Sequence, residues 1–251
     1  AAESTIAGGA GTAVTIAANG VTLDGFELTG GTGVSSTGYS NLGIRNNKIS
    51  AVAVGVSASG MTTAAGNTVT IEDNCIDLTT QVAGATTTIG VLLNGATGSA
   101  AVVADDNTVT DGFYGYVVNG VNTSPASVIS DGIITGVMQG VAVVNTIGGP
   151  LSPSNVSITG MNMSGFSGNY GALPDQNFHA GVYGFTTGGL PNTLTISVQN
   201  YTINGTQANG PSGGAIYLGD FSGGASTMQT VTVNECTLTN NANRGVLCVT
   251  P

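Results

Sequence analysis

Two short patterns alternate along this chain, and their alternation limits the fold more than any other feature. The first reads apolar-x-x-Asn-x-apolar. It occurs as Ile44-Arg45-Asn46-Asn47-Lys48-Ile49, as Ile71-Glu72-Asp73-Asn74-Cys75-Ile76 and as Ala104-Asp105-Asp106-Asn107-Thr108-Val109. Asp131 then takes the place of the Asn between Val128 and Ile133, and Phe26, Met161, Tyr201 and Cys236 hold it in relaxed copies. The eight copies end at Leu28, Ile49, Ile76, Val109, Ile133, Met163, Ile203 and Leu238, at intervals of 21 to 40 residues. The second pattern, Gly followed by an apolar residue and then alternation, falls once after each copy. Its members are Gly33-Val34, Gly55-Val56, Gly90-Val91, Gly115-Tyr116, Gly140-Val141, Gly181-Val182, Gly214-Ala215 and Gly245-Val246. A fixed internal repeat of this kind marks an array of similar units that bury their inner faces only by stacking.

Each unit holds short stretches of period two rich in Val, Ile and Thr, separated by Gly, Asn and Ser, which reads as strands and turns. Gly (41 of 251 residues), Thr, Val, Asn and Ser are mediocre or poor helix formers, so a helical array is excluded. Glycine does not recur at every third residue, which excludes collagen. A propeller blade needs four antiparallel strands in about 40–45 residues, and most intervals here are shorter. The expectation is one all-β solenoid over 1–251 of about eight stacked parallel coils, with its largest insertions at 164–180 and 204–213. Val56, Val91, Val141, Val182, Ile216 and Val246, each at or just after its glycine motif, should face inward.

Charge narrows the partners. Three basic residues, Arg45, Lys48 and Arg244, stand against thirteen acidic ones, for a net charge of −10. Nucleic acid and anionic membrane surfaces both require a basic footprint, which is missing. No apolar run reaches the ~18 residues of a membrane span. Cys75, Cys236 and Cys248 form no zinc spacing and no Cys-x-x-Cys pair, so neither a metal knuckle nor a disulfide scaffold is expected.

The stretch Val21-Thr22-Leu23-Asp24-Gly25-Phe26-Glu27-Leu28-Thr29-Gly30, together with Ile44-Arg45-Asn46-Asn47-Lys48-Ile49, resembles the coil signatures of right-handed parallel β-helices of the pectin-lyase-like superfamily. The resemblance extends over roughly residues 12–250. It implies the fold and leaves the activity open, because the fold carries lyases, hydrolases, adhesins, tailspikes and inert surface proteins. In that family an inward ladder of asparagines caps a tight turn, and Asn47, Asn74, Asn107 and Asp131 match that position in successive coils.

Stacking turns the repeat into columns whose members lie about 4.8 Å apart. One column reads Asp24, Arg45, Glu72, Asp105, Ile129, and the next reads Gly25, Asn46, Asp73, Asp106, Ser130. Arg45 should therefore bridge Asp24 and Glu72. Glu72, Asp73, Asp105 and Asp106 should form a square of carboxylates that a cation such as calcium would relieve. By resemblance to pectate lyases, such a square would hold calcium against an acidic glycan, with Arg45 as the base. Of the elements typical of polygalacturonases the chain has only Asp105-Asp106. Asn-x-Asp is missing, and the single histidine lies in Phe178-His179-Ala180. Tyr114, Tyr116, Tyr183, Tyr217 and His179 are the candidate ligand contacts, suited to stacking on a sugar.

The expected function is an extracellular structural or surface solenoid that assembles with copies of itself, requiring no cofactor. The short Gly/Ala-rich start at 1–11 and Pro251 close behind the last strand leave no evident cap, which favours stacking on further copies. The alternatives are a calcium-dependent polysaccharide lyase and a glycan-binding adhesin or tailspike segment.

Overall fold

A computed structural model describes residues 4–78, 88–144, 154–166, 180–186, 195–199, 202–204, 214–220, 230–240 and 245–249. Most of these residues lie in strands, which form three sheets of 14, eight and three strands. The eight-stranded sheet takes one short strand from each turn of the chain, starting with Thr22–Asp24, Leu42–Arg45, Val69–Glu72 and Val102–Asp105. Each strand pairs in parallel with its counterpart one turn away, as in Ile44↔Ile71 and Ile71↔Ala104. The chain then bends into the large sheet, where the strands Phe26–Thr37, Lys48–Ser59, Thr108–Asn119 and Ile133–Val144 each run for 12 residues. The small sheet, Thr62–Thr63, Thr97–Gly98 and Asn122–Thr123, completes the section. Among the described residues the one antiparallel contact is the isolated bridge Ala64↔Asn67, so hairpins play no part in joining successive strands. The result is a parallel β-helix.

Alternation along each strand sends every second side chain into the bore. Three apolar columns result. Leu23, Ile44, Ile71, Ala104, Ile129 and Ile158 line one wall, and Leu28, Ile49, Ile76, Val109, Ile134 and Met163 line the second. Val34, Val56, Val91, Tyr116, Val141, Val182 and Ile216 line the third. The expected inward residues Val56, Val91, Val141, Val182 and Ile216 are fully buried. Val246 departs from this expectation: it is 47 % exposed, since its strand Val246–Val249 pairs on one side only among the described residues. The insertions expected at 164–180 and 204–213 fall almost entirely outside the described residues.

The glycine of the second pattern is a close-approach position. A Cβ at Gly33 would lie 2.6 Å from the Gly55 carbonyl oxygen, and one at Gly55 would lie 2.6 Å from that of Gly90. The same holds at Gly90 against Gly115 (2.5 Å) and at Gly115 against Gly140 (2.6 Å). Each such Cβ would also strike the inward Ile or Val of the following coil: Ile49, Ile76, Val109 or Ile134. At these four positions any side chain would force adjacent coils apart; in a later coil the register Val182↔Ile216 places Ala215, one residue after Gly214, at the corresponding position.

The corner between the eight-stranded and the 14-stranded sheet is made by a single left-handed residue in each coil whose corner is described. Gly25, Asn46, Asp73, Asp106, Asp131, Gly160 and Glu235 all have φ between 50° and 77°. Gly, Asn and Asp tolerate this region best. Asp131 therefore belongs to the corner column, outside the ladder assigned to it from sequence. The pairing Asp105↔Ser130 and Val109↔Ile134 places Gly132 at the ladder position and leaves Ile133 45 % exposed while Ile134 is buried. The sequence alignment was one residue out of register in this coil, and a slip of one exchanges the two faces of a strand.

Candidate functional site

Immediately after the corner, Asn47, Asn74 and Asn107 turn inward and are 0–2 % exposed. The Oδ1 of Asn74 accepts from both the backbone N (3.1 Å) and Nδ2 (3.0 Å) of Asn47, and the Oδ1 of Asn107 accepts likewise from Asn74 (3.1 and 2.9 Å). The Nδ2 groups donate backward to the carbonyls of Leu23, Ile44 and Ile71 at 2.7–3.1 Å. The Phe26 N–H joins the series by donating to Asn47 Oδ1 at 3.0 Å. A tight bend inside a protein exposes backbone groups that must find partners, and the amides supply them from coil to coil.

On the outer side of the same corner the acids gather. Asp73, Asp106 and Asp131 are exposed in successive coils, with Glu72 and Asp105 half-buried beside them. Asp105 raises the Asp106 carboxyl above the ordinary carboxylate range, followed by partial desolvation and by the charges of Asp73 and Asp131. The Ser130 hydroxyl donates to Asp105 Oδ1. The expected square of Glu72, Asp73, Asp105 and Asp106 thus exists as an electrostatic neighbourhood, enlarged by Asp131. Among the described residues no group of three or more His, Cys, Asp or Glu side chains is placed to hold a metal ion. A second acidic pair lies further along the coil, where desolvation and then Asp77 raise the Asp111 carboxyl.

The basic side chains are engaged elsewhere. Arg45 Nε donates to Asp24 Oδ2 at 2.9 Å, and its Nη1 stands 4.0 Å from Glu72 Oε1, as the column alignment requires. The Asp24 carboxyl is held low, first by the Asn46 amide at 3.0 Å and then by Arg45. Lys48 donates to Glu27 Oε1 at 3.0 Å, and Thr5 to Oε2 at 3.2 Å; together they lower the Glu27 carboxyl. Arg244 and His179 lie outside the described residues.

The tyrosines divide. Tyr183 and Tyr217 stack with ring centroids 5.2 Å apart and planes within 14°. Burial raises the Tyr183 hydroxyl, with smaller contributions from Tyr217 and Tyr114, so the three form one outward neighbourhood. Tyr116 does not belong to it. Its side chain points into the bore and is fully buried, which removes it from the candidate ligand contacts. The sheet face around the outward tyrosines carries its own apolar cluster of Val117, Ala142 and Val144, packed with Ile89, Leu92, Tyr114 and Tyr183. Val117 and Ala142 alternate with inward residues yet are 1 % and 0 % exposed. Their burial comes with packing against the partly buried Ile89, Leu92, Tyr114 and Tyr183 of the same cluster, a feature that strand alternation alone does not announce. Cys75, Cys236 and Cys248 are free thiols.

A family model described as right handed beta helix region matches residues 1–155. The chain belongs to that right-handed β-helix family. No curated protein and no solved structure matches it. Among right-handed β-helices the fold carries many activities, so function must be argued from the ladders, the acidic corner and the tyrosine face. No helix of the described residues is long and apolar enough to cross a membrane.

Proposed function

We propose that this right-handed β-helix is a structural element of an extracellular, cell or virion surface, associating with copies of itself and turning over no polysaccharide. The observation that carries the reading is the engagement of Arg45 and Lys48. Arg45 is ion-paired to Asp24 and Glu72, and Lys48 to Glu27, so both cations are engaged in tying neighbouring coils together. Self-association is supported by the scarcity of charge, 6 % of residues in all, because charged side chains are the usual protection of a strand edge against pairing. The role calls for no cofactor.

The test incubates the protein with pectate, alginate and related acidic glycans plus calcium and follows unsaturated products in the ultraviolet, alongside sedimentation and electron microscopy. The expected result is oligomers or filaments and no product. Product formation abolished by Asp105→Ala would replace this reading with a lyase. Glycan binding without turnover is a second reading, favoured by the stacked Tyr183 and Tyr217 pair. Calorimetric binding of an oligosaccharide that Tyr183→Ala removes would support it.

A further inference from the structure

We draw no further inference here: the strongest candidate, the apolar patch on the outer face of the 14-stranded sheet where Val117, Ala142 and Val144 pack with Tyr114 and Tyr183, carries nothing because nothing in the structure shows what partner would cover it.

Discussion

The corner is built in two ways along the same molecule. In the coils of Asn47, Asn74 and Asn107 a chain of amides runs parallel to the stack and serves the bend from within. In the following coils Gly132 and Met161 take that position, and the Gly132 N–H donates to the Met161 thioether. The path of the backbone is nevertheless the same, with a left-handed residue at Asp131 and Gly160 as at Asp73 and Asp106. The direction of the chain at the corner is thus set by that left-handed residue and by parallel pairing. The asparagines add satisfaction of buried groups and uniqueness of register, which an apolar filling supplies less well.

The largest effect should come from a feature common to both regions. Gly55→Val places a branched side chain where a single Cβ already meets the Gly90 carbonyl oxygen at 2.6 Å. Denaturant unfolding should show a loss of about 3 kcal/mol or more, the upper end for overpacking. Gly115→Val, at the same column position beside the second region, should cost a similar amount, and a marked difference would mean that the two regions are not packed alike.

Next in size is the contrast itself. Asn74→Leu removes the acceptor used by Asn47 and the donor used by Ile44, Glu72 and Asn107, all of these bonds buried except the part-buried one to Glu72. It should cost about 1–3 kcal/mol by thermal or chemical unfolding. Met161→Leu at the equivalent position should cost less than about 1.5 kcal/mol, being a swap of similar volume. Equal costs would refute the distinction between an amide-built and an apolar corner.

A smaller, pH-dependent effect separates the outer surfaces. The Asp106 carboxyl is raised in the folded chain, which therefore binds that proton more readily than the unfolded chain does. Its repulsion is present above the raised value and is relieved as pH falls through it. Asp24 and Glu27 are lowered, so their contribution is present above the ordinary carboxylate values and is lost as pH falls through the folded ones. Asp106→Asn should raise Tm at neutral pH and leave it unchanged once the wild-type carboxyl is protonated. An Asp106→Asn protein no more stable than wild type at pH 7 would mean that solvent already screens the corner. The smallest effect is expected of Arg45→Ala, since its partners are exposed; a slight loss of Tm should vanish in high salt.

Much of this was legible in the residues. The ladder from Asn47 to Asn107, the glycine column and the Asp24–Arg45–Glu72 bridge all follow from aligning turns of the chain, because parallel stacking converts sequence period directly into neighbours. Asp131 was misplaced because an Asp resembles an Asn in hydrogen bonding, and because Ile133-Ile134 gives no hint of which isoleucine faces in. The corrective signal was present: Asn46, Asp73 and Asp106 precede the ladder position, and Asp131 followed by glycine continues that series. Tyr116 was read as a surface contact because an aromatic in a column of valines looks anomalous. The burial of the outward Val117 and Ala142 was not legible, since alternation says which way a side chain points and nothing about how closely its neighbours pack against it.

The glycine carbonyls facing the next glycines make each turn of the chain a tile whose upper and lower surfaces match. Copying a whole turn inserts a tile that fits both its neighbours, whereas adding one residue within a strand would reverse every side chain beyond it. Such a gene can lengthen by duplication of complete turns, and smaller changes in length are tolerated only at corners that no glycine or amide column fixes. The spread of intervals from 21 to 40 residues, around unbroken columns, is the record that such a history would leave.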